Sequence, residues 1–273
     1  MSNLTEHWAE LIKELTLKPE LIIAGVQRIH SNYVWEVPAM MFFGKKAMSL
    51  EETGYTTNKI KQLVRNYEPK NVERAIEDLK WRIEKKKYGS GVIYFQGLKK
   101  KGTKQDWCMT GMVVSFYPQL KSTRVTIFYR TAESIKRFRG DLVYLTKYVF
   151  PKFAEVFKLA PPTTVTFNFA NITLHPMFWL LSIEHMPRWA NVLKHVENKN
   201  PKLFRNIVYW SWRYLLDTSK SIDSYSSARQ VRLIALRCIS DDNLRDFKAW
   251  LRAAIADHLE HLPDSVRKGR WKK

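Results

Sequence analysis

Two runs rich in β-branched and aromatic residues lie near the middle of the chain, at positions 112–117 and 125–131. A short polar turn that begins at Pro118 separates them. Two such runs joined by a short turn predict an antiparallel β-hairpin. An apolar run at 92–95 and an alternating run at 165–169 predict two further strands.

Helical spacing of apolar residues is clearest after Asn71, which is a typical N-cap residue. Val72, Ala75, Ile76 and Leu79 recur at helical intervals and predict an amphipathic helix that ends in a run of three lysines. Helical patterns of the same kind are found at 5–30 (in pieces), 58–66, 142–158 (with a kink at Pro151), 177–197, 202–217, 225–238 and 241–260. Residues 34–38 are predicted to be extended, because a residue that precedes proline avoids the helical conformation.

This order of elements predicts an α+β fold. A mixed or antiparallel sheet is backed by helices, and the last third of the chain is helical. We expect a single domain over residues 1–265, in which 71–180 form the sheet-containing core and 181–265 the helical part. Residues 266–273 form a basic tail.

Composition narrows the class of protein. The chain has 273 residues, 45% of them hydrophobic, which is typical of a globular protein. We expect no membrane span, because no apolar run is long enough, and no secretory signal, because the first residues lack a basic segment followed by an apolar one. Its two cysteines, Cys108 and Cys238, do not form a disulfide framework, so we expect a reduced, cytoplasmic protein.

The chain carries a net charge of +20. Such an excess attracts polyanions, although a solvated basic surface with no nucleic-acid role explains it equally well. Aromatic and arginine residues also alternate in the last third, around Trp210–Tyr214 and Arg245–Arg252. They can bind single-stranded nucleic acid, but we favour core aromatics with solvated arginines.

Three chemically distinct groups flank the predicted hairpin. Cys108 precedes it, Arg130 and Thr131 follow it, and Asp141 begins the next predicted helix. A thiolate is a covalent nucleophile, a guanidinium binds anions, and a carboxyl group forms specific hydrogen bonds. The alternatives are that Cys108 is a small core residue and that Asp141 is a helix N-cap, while Cys238 is interpreted as a core residue. No spacing of metal ligands, glycine-rich phosphate loop or serine triad is present.

These segments resemble the thymidylate synthase superfamily, and more specifically its phage branch, deoxycytidylate hydroxymethylase. The likeness lies in Trp107-Cys108-Met109-Thr110, where the family carries its nucleophile, and in residues 130–141, which end in Phe138-Arg139-Gly140-Asp141. The order of helix, strand and cysteine from Asn71 onwards also fits. The resemblance covers residues 71–180.

The resemblance implies a reaction. The Cys108 thiolate would add to C6 of a pyrimidine nucleotide, and C5 would then take a one-carbon unit from 5,10-methylenetetrahydrofolate. Arg130 would bind the substrate phosphate, with Thr131 as a further substrate contact. An aspartate at position 141, where relatives that act on uracil have asparagine, implies cytosine.

Two other residues receive weaker roles from the same resemblance. Asn171 would contact the base or sugar, and Glu36 would transfer protons. The family also implies a homodimer formed through the sheet, in the cytoplasm of the host cell if the chain is encoded by a phage.

The sequence departs from the family at Lys85-Lys86-Lys87, where paired arginines are expected, and at residues 171–174, where a His-x-Tyr pair is expected. Three functions therefore stay open: a one-carbon transferase acting on a cytosine nucleotide, a protein that binds or modifies a polynucleotide, and a non-catalytic homologue. We expect the first.

Overall fold

The strands of this protein form a mixed β-sheet with helices packed on one of its faces. The computed structural model describes residues 3–17, 21–23, 27–50, 57–96, 108–134, 137–174, 180, 183–185, 188–217, 236, 239–262 and 264. The α+β class predicted from the sequence is confirmed. Apart from Leu236, the predicted helix at 225–238 lies outside the described residues, as do Cys238, Trp107 and the basic tail at 266–273.

The strands are β1 (Leu21–Ile23), β2 (Gln27–Pro38), β3 (Glu68–Lys70), β4 (Gly89–Gln96), β5 (Met109–Tyr117), β6 (Ser122–Tyr129), β7 (Ala132–Glu133) and β8 (Pro162–Thr173). Their order in the sheet is β1-β2-β8-β6-β5-β4-β3, and β7 pairs with β8. The helices are α1 (Leu4–Leu17), α2 (Thr57–Asn66), α3 (Val72–Glu84), α4 (Phe138–Tyr144), α5 (Ala154–Leu159), α6 (Trp189–Lys199), α7 (Pro201–Leu215) and α8 (Asp241–Asp257).

The chain divides into two compact units. The first contains residues 1–8 and 31–172, and the second contains residues 9–30 and 173–273. The first unit holds most of the sheet together with α2 to α5. In the second unit, β1 pairs with the start of β2, and α6, α7 and α8 supply the predicted helical part.

The predicted hairpin is present as β5 and β6, which pair antiparallel across the turn at Pro118–Leu120. β8 then pairs parallel to β6, after the helical crossover that begins with α4. A parallel pair needs such a crossover, since its strands run in the same direction. The end of β6 and the end of β8 therefore lie side by side, next to the start of β5.

Alternation along the strands separates a buried face from an open one. On β5, Met112, Val114 and Phe116 are buried, while the residues between them are partly exposed. Helix α3 packs closely on the buried face at Gly91. A β-carbon at that position would lie 2.8 Å from the backbone oxygen of Ala75.

Two predictions about local structure were wrong, and a third, the N-cap at Asn71, is correct in position only. Residues 21–23 and 27–30 are strands rather than helix, because they pair with each other. Helix α4 begins at Phe138, with Arg137 as its N-cap, so Asp141 lies inside the helix and is not its cap. Asn71 does precede α3, but it adopts a left-handed conformation with φ 63° and its side chain makes no capping bond.

The helix predicted at 142–158 is interrupted as expected around Pro151. A π-helical turn (Leu145–Val149) and a 3-10 turn (Phe150–Phe153) separate α4 from α5. Proline has no N–H and collides with the carbonyl group four residues earlier, so the regular helix cannot continue through it.

In the second unit, side chains cap two of the helices. The Asn200 side chain accepts from Leu203 N–H at 3.1 Å, and the Ser240 hydroxyl accepts from Asn243 N–H at 3.4 Å. Trp212 and Tyr214 are buried, as the core interpretation predicts. In the part of the chain that is described, no helix is both long enough and apolar enough to cross a membrane.

Candidate functional site

Cys108, Arg130 and Asn171 lie side by side at one end of the sheet. Cys108 directly precedes β5, Arg130 directly follows β6, and Asn171 lies near the end of β8. The backbone N–H of Arg130 donates to the Cys108 carbonyl at 2.8 Å, and the N–H of Asn171 donates to the Arg130 carbonyl at 3.2 Å. The ladder of hydrogen bonds therefore continues past the hairpin and fixes the backbone of all three residues.

Asp141 reaches the same end of the sheet from helix α4. The Phe138 ring packs against Tyr129 at 5.6 Å and against Phe169 at 5.2 Å, which holds the first turn of the helix on the buried face of the sheet. Every residue of α4 is buried, and Asp141 is only 5% exposed. A carboxyl group is rarely buried to this extent unless a specific partner or function retains it.

Burial changes the protonation of Asp141. Removal of the carboxyl group from water raises its pKa to about 7, even though the Tyr129 hydroxyl and the Arg137 guanidinium both favour the ionised form. The Tyr129 hydroxyl lies beside this carboxyl, but its geometry falls short of a full hydrogen bond. Asp141 is therefore a carboxylic acid that gains and loses its proton near neutral pH.

The Cys108 thiol lies within reach of the Asp141 charge. Burial raises the pKa of the Cys108 thiol, and the Asp141 carboxylate raises it further. The Arg137 and Arg130 guanidinium groups and a hydrogen bond from the Tyr67 hydroxyl all lower it. The structure thus brings Cys108, Arg130 and Asp141 together, although they come from three different elements of the chain.

Tyr67 is a member of this cluster that the sequence did not indicate. It lies between α2 and β3, is 4% exposed, and packs its ring against Tyr144 at 5.7 Å. The Tyr144 hydroxyl donates to the backbone carbonyl of Tyr67. The backbone N–H groups of Cys108 and Met109 favour the ionised form of the Tyr67 phenol, yet burial still raises its pKa well above the usual range.

No sequence signal marks Tyr67, because it is a single tyrosine in a polar stretch. Arg137 also was not predicted, although it falls inside the segment 130–141 that carries the family resemblance. Its proximity to both Asp141 and Cys108 follows from its place directly before α4.

The Asp141 carboxylate and a thiolate at Cys108 would repel each other. Each negative charge disfavours the other in a site that excludes water, so one negative charge is favoured over two. Protonation of Asp141 removes the repulsion that opposes the thiolate. Because the pKa of the thiol is raised and that of Asp141 is about 7, the single negative charge lies mainly on Asp141. Transfer of the thiol proton to this carboxylate would give a thiolate and a neutral acid together, which is the arrangement that acid-assisted nucleophilic addition requires.

Glu36 does not join the cluster. It lies on β2 between Trp35 and Val37, which are buried, and so its side chain emerges on the open face of the sheet. There the Thr166 hydroxyl donates to its carboxylate at 3.4 Å. The proton-transfer role expected for Glu36 has no support in this geometry, because Asp141 lies on the opposite face.

The remaining predicted residue, Thr131, follows Arg130 directly and is partly buried. Its substrate contact stays a prediction. Among the residues that the structure describes, no group of three or more His, Cys, Asp and Glu side chains is placed to hold a metal ion.

The sequence matches no protein-family model, and comparison with curated proteins gives no significant match. The interpretation of the site therefore rests on the arrangement of its own residues.

Proposed function

We propose that this protein modifies C5 of a pyrimidine nucleotide, with cytosine as the base, through a covalent adduct on Cys108. It would be a divergent relative of the thymidylate synthase superfamily. The observation that carries the proposal is the electrostatic contact between the Cys108 thiol and the buried carboxyl group of Asp141. Arg137 supplies positive charge beside both groups, and Arg130 supplies it beside the thiol.

Asp141 is suited to the cytosine edge. With a pKa of about 7 it is a neutral acid in part of the population at physiological pH. Its O–H donates to N3 of the ring, and its second oxygen accepts from the exocyclic amino group. A neutral carboxyl also pairs with uracil, but uracil N3 already carries a proton. Proton transfer to the ring therefore favours cytosine.

The addition step balances within this pair of residues. The thiolate sulfur forms a bond to C6, and the electrons of the C5–C6 double bond move through the ring as N3 takes the proton from Asp141. One negative charge thereby moves from sulfur to the carboxylate, and the ring adduct stays neutral. C5 becomes an enamine carbon, which is nucleophilic.

The hydrogen bond from Tyr67 and the two arginines oppose the rise in the Cys108 pKa, and the thiol proton would pass to the Asp141 carboxylate before the attack. Arg130 is exposed at the rim of the site, where a guanidinium fork fits the phosphate of a nucleotide. Asn171, whose N–H donates to the Arg130 carbonyl, would contact the sugar or the base.

By the resemblance, methylenetetrahydrofolate supplies the one-carbon unit that C5 accepts. In the described part of the chain, no observation identifies residues that fit a pterin ring, so we derive no step through it.

The test is release of tritium from deoxycytidylate labelled at C5, with methylenetetrahydrofolate present. We expect release by the wild type and none by Cys108→Ser, because serine is a poor nucleophile at neutral pH. Cys238→Ser is the matched control and should retain the activity. Asp141→Asn should shift the preference from cytosine towards uracil.

Absence of release from the wild type on free nucleotides would contradict the nucleotide proposal. The second candidate is a polynucleotide substrate, which the net charge of +20 favours. It predicts release from a labelled single-stranded oligonucleotide instead. No release from either substrate would leave a non-catalytic homologue.

A further inference from the structure

A surface of aromatic and basic side chains lies at the far end of β5 from Cys108. We call it the aromatic–basic patch. Its members come from the end of α3, the turn before β4, and the hairpin end of β5 and β6: Trp81, Arg82, Lys86, Lys87, Tyr88, Tyr117, Lys121 and Arg124. Cys108 precedes β5 and Tyr117 ends it, so the length of the strand, roughly 30 Å, separates the patch from the thiol.

Large aromatic side chains of the patch are open to solvent. Trp81 is 48% exposed and Tyr88 is 59% exposed. The Tyr88 ring lies 5.4 Å from the Tyr117 ring, which extends the aromatic surface onto β5. Contiguous exposed aromatic area on a soluble domain is a mark of an interaction surface.

Cations lie on the faces of these rings. The Lys87 Nζ is 5.5 Å and the Arg82 Cζ is 5.9 Å from the centre of the Trp81 ring. The Arg124 Cζ is 5.2 Å from the centre of the Tyr117 ring. These contacts hold positive charge beside aromatic planes, which is the combination that stacked bases and their phosphates require.

The patch is strongly positive. Segments 81–88 and 117–124 contain six lysines and arginines and a single carboxylate, Glu84. Glu84 forms an ion pair with Lys85 at 3.1 Å. The two segments contain no second carboxylate that could neutralise their other cations. The local charge therefore attracts a polyanion rather than a neutral partner.

The backbone here is held in conformations that side chains usually avoid. Lys86 and Lys121 have φ of 51° and 47°, in the left-handed region that normally belongs to glycine or asparagine. Gly89 leaves room for Arg82, whose side chain would lie 2.2 Å from a β-carbon at that position. Arg82 uses that room to donate to the Tyr88 carbonyl at 3.0 Å, which fixes the turn that presents Tyr88.

We propose that the aromatic–basic patch binds single-stranded nucleic acid, with bases stacked on Trp81, Tyr88 and Tyr117 and phosphates on the surrounding cations. A duplex offers no free base faces to these rings, and an acidic peptide uses the charge but not the aromatic planes. The site is separate from the proposed catalytic site, and neither depends on the other.

The experiment is fluorescence anisotropy of a labelled single-stranded oligonucleotide with the full-length protein over a series of salt concentrations. With about five phosphates contacted, the logarithm of the binding constant should fall with the logarithm of salt at a slope of about −3 to −4. The duplex of the same sequence should bind more weakly. Trp81→Ala and Tyr88→Ala should each weaken single-strand binding by roughly 5- to 150-fold.

Matched variants distinguish binding at the aromatic–basic patch from attraction to the overall positive charge of the protein. Tyr94→Ala removes an aromatic side chain that is 52% exposed on the open face of the sheet, outside the patch. The pair Lys152→Glu and Lys158→Glu reverses two exposed charges near α5, to be compared with Lys86→Glu and Lys87→Glu. We expect full binding for Tyr94→Ala and a much smaller loss for the control charge pair than for the patch pair. Urea unfolding checks that each variant is folded.

Two results would overturn the proposal. One is equal binding of the single strand and the duplex. The other is wild-type affinity in both aromatic variants, which would reduce the binding to attraction between charges. Tritium release from C5 is unaffected by either result, so failure of this proposal and failure of the catalytic proposal are distinguishable.

Discussion

Replacement of Asp141 by asparagine should stabilise this protein at neutral and alkaline pH. Asparagine has the shape of aspartate but carries no charge, so the variant D141N removes only the ionisation of a buried group. Burial raises the pKa of Asp141 from 3.8 to about 7. Each pKa unit corresponds to about 1.4 kcal/mol, so the buried carboxylate costs on the order of 4 kcal/mol when it is fully ionised.

The sign follows from the number of bound protons. Between pH 3.8 and about 7 the folded protein keeps the proton on Asp141, whereas the unfolded chain has lost it. The contribution of Asp141 to the free energy of unfolding is therefore fully present below pH 3.8, the pKa in the unfolded chain. It is lost as the pH rises through about 7, the pKa in the folded protein. Above about pH 7 both states are ionised and the loss is constant.

The assay is urea unfolding of the wild type and D141N, followed by tryptophan fluorescence, at about pH 5 and about pH 8. From the same pKa difference, D141N should gain about 3 kcal/mol relative to the wild type between these conditions. Asp78→Asn is the control, since Asp78 is exposed on α3 and its substitution removes a charge without relieving burial.

An equal difference between D141N and the wild type at both pH values would refute the reasoning. It would mean that the Asp141 carboxyl is solvated or fully paired in the folded protein. The expected gain in the free energy of unfolding of D141N would instead show that the ionisable group at position 141 lowers the stability of the wild type, as is common at functional positions.

Two further predictions concern packing and assembly. Gly91→Ala should destabilise the protein by roughly 1–3 kcal/mol in urea unfolding, because the new β-carbon would lie 2.8 Å from the Ala75 backbone oxygen. A variant as stable as the wild type would show that α3 does not pack as described. The open face of the sheet exposes 40% of Phe128. A homodimer formed around this residue should dissociate in Phe128→Asp but not in Leu159→Asp during analytical ultracentrifugation. A wild-type monomer, or a dimer that both substitutions leave intact, would contradict that interface.

The part of the fold that could be predicted from sequence is the part with strong local periodicity. Met112 and Val114 on β5 pair with Ile127 and Val125 on β6, and the alternation of apolar residues indicates both strands. The short strand β1 was mistaken for helix, because three residues are too few to show a period of two.

The candidate site was predictable where neighbours in the fold are also near in sequence. The hairpin brings the residues that precede and follow it together, so Cys108 and Arg130 were expected to be close. Tyr67 arrives from a separate element through packing against Phe95 and Tyr144, which no local pattern encodes. Glu36 was chosen by its distance along the chain, and strand alternation places it on the wrong face.

The most direct test of the account is the alkylation rate of Cys108 in the wild type and in D141N. The measurement uses iodoacetamide at about pH 8 with peptide-resolved mass spectrometry, and Cys238 in the same sample is the internal reference. Since the Asp141 carboxylate raises the pKa of the Cys108 thiol, D141N should lower that pKa and alkylate faster at Cys108 relative to Cys238. An unchanged ratio of the two rates would show that the thiol and the carboxyl group do not share a site, and the proposed chemistry would fail with it.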